Sequence, residues 1–185
     1  MAHIVPPAKD SQRTRQAILR AAQRIFSTRG YRDAGVREIT ALAGVSIALV
    51  NRYFGSKERL FEEALADLLN PATISNMPRE RFGQTIVDLL VGGIGLSEVP
   101  LPMIMLASGD PGARAITQRL LADLVYHPLA EWLGPEEGRV RAARFMIVSA
   151  GLTVYRHIYP VDILVPEPDP TIRDWLIQQF QALVD

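Results

Sequence analysis

The sequence predicts an all-α fold, and three observations support this prediction. Apolar residues recur at helical spacing, no segment alternates strictly between apolar and polar residues, and glycine or proline separates the candidate helices. Apolar residues make up 48% of the 185 residues, which is enough for a packed core, and no apolar stretch reaches the roughly 20 residues of a bilayer span. The first residues lack a secretory signal pattern. We therefore expect a cytoplasmic protein of about nine helices with no membrane partner.

The first helix is expected from about Asp10 to Thr28. Gly30 should end it, because glycine can adopt the left-handed conformation of a helix cap. One face of this helix is apolar over more than two turns and should be buried. The residues of this face are Ile18, Ala22, Ile25 and Phe26.

Two short helices are expected next, at about Val36 to Ala43 and Ile47 to Phe54, with Gly44 in the turn between them. Ser46 should cap the second of these helices, and Ser56 should cap the fourth helix of the chain. One face of that fourth helix is apolar and should be buried. It consists of Leu60, Phe61, Ala64, Leu65 and Leu68.

Five further helical patterns occupy the rest of the chain, and Pro128 should kink or break the third of them. Their approximate bounds are 79–91, 101–107, 113–133, 136–158 and 170–184. The polar connection from Asn70-Pro71 to Pro78 is the best candidate for a domain junction. The sequence thus predicts three parts: a tail at 1–9, a head at 10–55 and a body at 56–185.

The net charge of zero conceals a strong asymmetry between the two ends of the chain. Residues 1–60 contain eleven basic and four acidic residues and carry +7, whereas the remainder carries −7. This distribution predicts a head that binds nucleic acid on an acidic body that does not. An anionic membrane could attract the same head, but its basic residues are not confined to one face of a single amphipathic helix.

The two short helices and their three-residue turn match the requirements of a helix-turn-helix. Gly44 lies where the chain reverses and where a side chain would resist a positive φ. The turn alone is equally typical of an ordinary helical hairpin, so the basic charge and the flanking residues favour the DNA-binding interpretation. Apolar residues suited to a tight helix crossing are Ile39, Leu42, Ala43, Val45 and Val50.

A longer pattern surrounds this motif, in order and without gaps. It consists of Ala17-Ile18-Leu19, Ala21-Ala22, Phe26, Gly30-Tyr31, Val36-Arg37-Glu38-Ile39, Ala43-Gly44-Val45-Ser46, Tyr53-Phe54, Ser56-Lys57-Glu58 and Leu60. With it, residues 16–65 resemble the tetracycline-repressor (TetR) family of bacterial transcription regulators. The resemblance implies a three-helix DNA-binding head, a fourth helix that links it to an all-helical ligand-binding body, and a homodimer formed by the last two helices.

The chain departs from the family pattern within the motif. Thr40 stands where alanine is common, which is tolerable if its hydroxyl bonds to a backbone carbonyl one turn earlier. The second motif helix begins Ile47-Ala48-Leu49 instead of with polar residues, and Asn51 stands where many relatives have tyrosine. The operator of better-known relatives therefore cannot be transferred to this chain.

The second motif helix contains the candidate DNA-reading residues. Asn51 can pair with adenine and Arg52 with guanine, and phosphate contact or solvent exposure is the alternative for both. Ile47 and Ala48 lie beside Ser46 at the helix start, where apolar groups can contact thymine methyls.

The resemblance also implies phosphate contacts for Arg37, Tyr53 and Lys57, with packing inside the head as an alternative or additional role for Tyr53.

The body contains candidate ligand-binding residues that are largely apolar. They are Met103, Met105, Leu106, Leu120, Leu124, Tyr126 and Phe145. A pocket lined by them would bind a hydrophobic or weakly polar small molecule, held in orientation by one or two hydroxyl or imidazole contacts. The alternative is that these side chains simply fill the core.

The last two helices have more apolar surface than a small body needs to bury, which predicts a dimer interface. Its expected residues are Phe145, Val148, Gly151, Leu152, Tyr155, Ile172, Trp175, Leu176 and Phe180.

Other functions find less support in the sequence. Phosphate loops, nucleophile elbows and paired histidines at metal-binding spacing are absent, so we expect neither catalysis nor a metal or other cofactor. The function that the sequence favours is that of a ligand-responsive repressor that binds a near-palindromic operator as a homodimer. An architectural DNA-binding protein without a small-molecule effector is the alternative, and ligand binding would distinguish the two.

Overall fold

The computed structural model describes residues 8–69, 77–92 and 99–185, with the backbone alone for residues 8–10. Within these ranges all regular secondary structure is helical, which confirms the predicted fold class. The α-helices are α1 (Ala8–Asp33), α2 (Val36–Ala43), α3 (Ile47–Phe54), α4 (Lys57–Leu68), α5 (Phe82–Val91), α6 (Pro100–Ala107), α7 (Pro111–Leu121), α8 (His127–Leu133), α9 (Gly138–Thr153) and α10 (Pro170–Gln181).

Shorter helical segments connect or extend several of these helices. A π-helical turn, Ala122–Tyr126, joins α7 to α8, and a second one, Val154–Ile158, extends α9. Single turns of 3₁₀ helix lie at Arg79–Arg81 and Asp162–Leu164. When α7, its π turn and α8 are counted as one helix, the described ranges contain nine α-helices, as predicted. Most of the predicted junction at 70–78 and most of the predicted tail at 1–9 lie outside the described residues.

Gly30 interrupts the first helix, as the sequence predicted, and a further helical turn follows it as far as Asp33. Gly30 has φ 77° and ψ 170°. This is a positive φ, but it is not the left-handed helical conformation, which has ψ near +45°. Gly30 therefore kinks the chain, and the residues after it add a further turn that leads into α2.

The predicted serine caps have different outcomes. The Ser56 side chain accepts a hydrogen bond from the Arg59 amide and caps α4, as expected. Ser46 is the residue that precedes α3, but its side chain makes no capping hydrogen bond. The first turn of α3 is closed instead by the backbone, where the Leu49 amide donates to the Ser46 carbonyl.

Pro128 neither breaks its helix nor leaves it regular. It has no N–H and cannot donate to the carbonyl four residues earlier, and its ring crowds that carbonyl. The preceding residues accommodate it by widening into the π turn, in which the His127 amide donates to the Ala122 carbonyl. Backbone angles remain helical on both sides of this turn, so α7 and α8 form one continuous element.

Two hydrophobic cores hold the helices together. The first, which we call the head core, joins α1 to α4 and includes Met103 and Ala107 of α6 and Leu120 of α7. The second, the body core, joins α5, α8, α9 and α10. The predicted buried faces of α1 and α4 lie in the head core, except that Leu68 is only half-buried. Part of the predicted body thus packs with the head, and the boundary at 55/56 stays a prediction.

None of the helices in the described ranges is both long and apolar enough to cross a bilayer.

Candidate nucleic-acid interface

The turn between α2 and α3 depends on Gly44. Its φ of 66° and ψ of 33° are left-handed, and its amide donates to the Ala41 carbonyl at 3.3 Å. The Val45 amide donates to the Thr40 carbonyl at 3.0 Å, so the last turn of α2 is closed by two backbone bonds. A side chain at position 44 would meet no neighbour, and the positive φ alone is what favours glycine there.

Buried residues hold α2 and α3 against the head core. Ile39 of α2 is fully buried, and Val50 and Phe54 of α3 are each 2% exposed. The hydroxyl of Thr40 donates to the Arg37 carbonyl at 2.8 Å, so the departure from alanine is accommodated as the sequence predicted. Leu42 was expected to pack at the helix crossing, but it is 46% exposed.

The opposite face of α3 is open to solvent. Its exposed residues are Ser46, Ile47, Ala48, Asn51 and Arg52. Neither Asn51 nor Arg52 forms an ion pair or a side-chain hydrogen bond with any residue whose position is described. The donors and acceptors of both side chains are therefore available to an external partner.

The three predicted phosphate ligands differ in their surroundings. Arg37 is exposed in the first turn of α2. Tyr53 is half-buried, and its hydroxyl lies 2.9 Å from the Ser11 hydroxyl, so the predicted packing role is present. Lys57 is turned toward the end of α1, where its ammonium donates to the Arg32 carbonyl at 3.3 Å and lies 4.8 Å from the centre of the Tyr31 ring. A phosphate contact by Lys57 would have to compete with both interactions.

Contacts between α1 and the motif stabilise the orientation of α3. The Arg15 guanidinium pairs with Glu63 of α4 and lies 5.3 Å from the centre of the Phe54 ring. Together with the bond between Ser11 and Tyr53, this contact joins the start of α1 to the end of α3. The acidic partner on α4 is too distant in the sequence for a local pattern to reveal it.

Tyr31 and Glu58 interact where α1 meets α4. Burial and the hydrogen bond with Glu58 raise the pKa of Tyr31 to about 12. Hydrogen bonds from its own amide, from the Ser56 hydroxyl and from Tyr31 hold the pKa of Glu58 below its usual value. At neutral pH the tyrosine therefore remains protonated as the donor and the glutamate remains charged, close to Lys57.

The predicted ligand-binding residues divide between the two cores in the described structure. Met103 and Leu120 are buried in the head core, and Phe145 is buried in the body core. Leu124 packs against the head core and Tyr126 against the body core. Two further residues lie on the solvent side of α6: Met105 is 41% exposed and Leu106 is 45% exposed. Helical spacing in α6 could not distinguish the side that faces the head core from the side that faces water.

The two π turns lie where the cores meet. No side chain of the turn Ala122–Tyr126 is fully buried, although it connects helices of both cores. In the turn Val154–Ile158, the Nε2 atom of His157 is buried without a hydrogen-bond partner. Burial and the charge of Arg156 lower the pKa of His157, so the imidazole is neutral at physiological pH.

Arg156 forms hydrogen bonds both with the loop that precedes α10 and with the end of α5. Arg156 is 8% exposed, and its guanidinium donates to the carbonyls of Leu164, Pro166 and Val91, the last two at 3.2 Å. Burial lowers the pKa of this guanidinium. Its Nε atom has no partner. The sequence did not identify this residue, because its partners are backbone carbonyls, which no residue pattern reveals.

An open cleft of about 380 Å³ lies beside the end of α8, lined by Ala130, Glu131, Gly134, Pro135 and Arg139. It includes none of the seven predicted ligand-binding residues, although Arg139 donates to the Tyr126 hydroxyl at 3.4 Å.

The predicted dimer residues divide into two groups. Four of them are at most 7% exposed within the body core and have little surface left for a partner: Phe145, Leu152, Leu176 and Phe180. Tyr155 is 52% exposed and Trp175 is 51% exposed, whereas Val148, Gly151 and Ile172 are half-buried. Ile147, which was not among the predicted interface residues, is the most exposed of the large apolar residues that the structure describes, at 71%.

Comparisons with known proteins agree with this arrangement. A family model described as bacterial regulatory proteins, tetR family, matches residues 18–64, and a second, described as tetracyclin repressor-like, C-terminal domain, matches residues 80–184. The HTH-type transcriptional repressor NicS of Pseudomonas putida is 40% identical over 58 residues, which are 31% of this chain and 27% of NicS. The chain thus matches less than a third of the length of this curated relative.

Solved structures resemble the fold over nearly the whole chain. A TetR-family transcriptional regulator from Rhodococcus sp. aligns with a TM-score of 0.74 at 16% identity, covering 94% of this chain and all of that one. A transcriptional regulator from Saccharomonospora viridis, in complex with choline, aligns with a TM-score of 0.61 at 19% identity, covering 94% and 96% of the two chains. Because the two family models cover both the motif and most of the remaining chain, the protein belongs to the tetR family of bacterial regulatory proteins and is a transcriptional regulator with a DNA-binding helix-turn-helix.

Proposed function

We propose that this regulator is a ligand-responsive repressor that binds a near-palindromic operator as a homodimer. The main support for DNA binding is the solvent-exposed face of α3. Asn51 and Arg52 point away from the head core, and no described residue pairs with them. Both side chains can form bidentate hydrogen bonds with base edges in the major groove.

The head around α3 is positively charged and should therefore attract DNA. The first 60 residues carry a net charge of +7, so phosphates are attracted wherever α3 approaches a duplex. Arg37 is exposed at the start of α2 and can contact the backbone beside the groove. By contrast, the net charge of −7 on the rest of the chain disfavours binding of the body to DNA.

A two-fold dimer explains how a single reading helix per chain can reach a useful affinity. Two α3 helices must enter major grooves about 34 Å apart, and the symmetry of the protein then appears in the operator. The exposed apolar side chains of Ile147, Tyr155 and Trp175 support an interface on α9 and α10. A Cβ added at Gly151 would meet no atom of its own chain, so a partner helix could approach there.

We place the effector site where the two cores meet, around the π turns. The half-buried turn Ala122–Tyr126 and the unpartnered Nε2 of His157 support this position. A neutral imidazole beside apolar side chains suits a hydrophobic or weakly polar ligand with one polar group. The related fold that is in complex with choline supports the view that such a body can hold a small organic molecule.

Effector binding would be transmitted through α7 to α4. Arg119 of α7 pairs with Glu62 of α4 at 2.6 Å, and both helices contribute to the head core. A shift of α7 would therefore move α4 and the attached head. Coupling of about 1 to 3 kcal/mol between the two sites would change operator affinity roughly 5- to 150-fold.

The test of DNA recognition is selection of bound duplexes from random DNA, followed by binding measurements at fixed salt concentration. We expect a near-palindromic sequence with two half-sites. Asn51→Ala and Arg52→Ala should each weaken binding by about 1 to 3 kcal/mol and relax the preference at one position of each half-site. The control is Arg114→Ala. Arg114 is an exposed arginine of α7, so this substitution removes one positive charge from the body, as Arg52→Ala removes one from the head. Failure to enrich any sequence, or enrichment of asymmetric sites alone, would reject the proposal.

The effector is tested by thermal-shift screening of neutral apolar compounds and of multiply anionic metabolites. Stabilisation by neutral compounds, lost in His157→Phe, supports the proposed site. Stabilisation by polyanions alone rejects it. If no compound in either set stabilises the protein while specific operator binding persists, the architectural DNA-binding protein becomes the better interpretation.

A further inference from the structure

Arg156 and His157 are consecutive residues of the π turn Val154–Ile158, and each has a buried nitrogen atom without a hydrogen-bond partner. These atoms are Nε of Arg156 and Nε2 of His157. Elsewhere in the described parts of the chain, the hydroxyl of Ser27 in the head is the only other buried side-chain atom of this kind. Folded proteins leave few buried polar atoms unpaired, so two on neighbouring residues point to a partner from outside the chain.

The guanidinium of Arg156 is also a buried charge without a counter-ion. Arg156 is 8% exposed, and the carbonyls that accept its hydrogen bonds are neutral. It forms no ion pair with any residue at a described position. Burial lowers its pKa, and the exposed carboxylate of Glu167 opposes that shift only from a distance. A cation removed from water without an anion beside it is unfavourable, so an anionic group next to Nε would be stabilising.

His157 limits the amount of negative charge that the turn can accept. Burial and the charge of Arg156 lower the pKa of His157, so the two groups lie close together and the imidazole is neutral at physiological pH. A neutral imidazole can still donate a hydrogen bond from Nε2. The turn therefore contains one cation and one neutral donor, which suit a group with a single negative charge. His157 as a whole is only half-buried, so the pair lies near the surface of the molecule.

Helix α6 supplies apolar surroundings for the same turn. It packs against the turn Val154–Ile158 on one side and against α1 of the head on another. All eight residues of α6, Pro100–Ala107, are apolar, so every side chain that it presents to the turn is apolar. A molecule bound at Arg156 would therefore lie beside an apolar helix that contacts the head.

We infer that the effector is an otherwise apolar molecule with a single carboxylate, and that this carboxylate accepts hydrogen bonds from Nε of Arg156 and Nε2 of His157. The inference rests on the proposed function and adds the chemical class of the ligand and the residue that recognises its charge. A carboxylate has two oxygen atoms and can accept from both donors at once. A ligand with several negative charges is disfavoured, because the turn has no second cation to compensate them.

The size of the expected effect follows from the charge of the ligand. A hydrogen bond between charged groups is roughly twice as strong as one between neutral groups. Replacement of a carboxylate by its primary amide keeps the size of the molecule and its carbonyl oxygen but removes the charge. The carboxylate should therefore bind about tenfold more tightly than the amide.

The experiment compares matched pairs of compounds on the full chain. The probes are butyrate, hexanoate, octanoate, benzoate and phenylacetate, each with its primary amide. The melting temperature is measured at neutral pH and constant ionic strength, and calorimetric titration gives the dissociation constants of the compounds that raise it. We expect one or more of the acids to raise the melting temperature and to bind about tenfold more tightly than the matching amide.

Three variants assign the preference to its residues. Arg156→Gln removes the charge but keeps an amide donor, so an acid and its amide should bind equally well. His157→Phe removes a neutral donor, so it should weaken both compounds and retain most of the preference for the acid. Arg141→Gln is the matched control, because Arg141 is also on α9 and donates to a backbone carbonyl, that of Leu183, at 3.0 Å. It should leave the preference unchanged.

Circular dichroism melting verifies that each variant is folded. If Arg156→Gln does not fold, Arg156→Lys takes its place, since lysine keeps the charge but lacks the Nε donor. This variant should bind the acid more weakly than the unmodified protein does and should still prefer it to the amide.

Three results would overturn the inference and leave a ligand-responsive regulator in place. The amides bind as tightly as the acids, the preference for the acid persists in folded Arg156→Gln, or only neutral compounds of the wider screen raise the melting temperature. If neither acids nor neutral compounds stabilise the protein, the ligand-responsive function fails as well, so the two failures are distinguishable.

Discussion

Gly30 of α1 lies against the backbone of Leu106 of α6, so that a Cβ at position 30 would be 3.0 Å from the Leu106 carbonyl oxygen and 3.3 Å from the Leu106 Cβ. The same glycine has φ 77° and ψ 170°, a combination that side chains strongly disfavour. Two independent constraints thus act on one residue, at the point where a helix of the predicted body packs on the first helix of the head.

Gly30→Ala should therefore destabilise the protein by about 1 to 3 kcal/mol, measured as the free energy of unfolding in urea. Gly109→Ala is the control, because Gly109 has no positive φ and a Cβ there meets no atom within 4 Å. Equal stability of the two variants would show that α1 and α6 can separate without cost.

Arg156→Met should lower the free energy of unfolding by roughly 2 to 4 kcal/mol, since three backbone carbonyls, that of Val91 in a buried hydrogen bond and the other two partly buried, lose a charged donor. Arg114→Met removes an exposed arginine and should change stability by less than about 0.5 kcal/mol. A small effect of Arg156→Met would mean that water satisfies the carbonyls of Val91, Leu164 and Pro166 equally well.

His157 should make stability depend on pH. Its pKa is lowered in the folded protein, so below the ordinary histidine pKa of about 6.5 the unfolded chain binds more protons than the folded one. Above that pKa the buried imidazole costs the folded protein no stability. As the pH falls below it, the free energy of unfolding decreases, because the unfolded chain takes up the proton. The melting temperature should accordingly drop between pH 7.5 and pH 5.5, and the drop should be smaller in His157→Gln. Identical pH profiles would exclude this role for His157.

Ile147→Glu should convert the proposed dimer into monomers, because it places a charge on the most exposed large apolar side chain of α9. Sedimentation velocity measures the change directly. Leu89→Glu on α5, where the leucine is 40% exposed, serves as the control for the added charge and should leave the dimer intact. A dimeric Ile147→Glu variant would place the interface elsewhere.

Arg37→Ala should weaken binding to all DNA sequences by a similar factor, since a phosphate contact contains no sequence information. The slope of the logarithm of the binding constant against the logarithm of the salt concentration should become shallower by about 0.9. Arg114→Ala should leave that slope unchanged. A change in sequence preference in Arg37→Ala, with an unaltered slope, would assign this residue to base reading instead.

The sequence by itself determined the helices and the motif. The buried faces of α1 and α4, the left-handed Gly44 and the Ser56 cap all depend on residues within about four positions of one another, so local spacing and capping chemistry suffice to predict them. The same holds for the hydrogen bond from Thr40 to the carbonyl of Arg37, which was anticipated because it lies within one helical turn.

Only the tertiary structure decided where each apolar face is buried. Phe145 and Phe180 form an edge-to-face pair at 5.5 Å inside the body core, although their helical stripe would equally suit an interface with a second chain. In the same way, Met103 is fully buried while Met105 is 41% exposed. The Val91 carbonyl that accepts from Arg156 is far from it in the sequence, and the lack of a hydrogen-bond partner for Nε2 of His157 is likewise visible only in the folded chain. Helical spacing reports that a face is apolar, but which surface covers it depends on contacts between residues far apart in the chain.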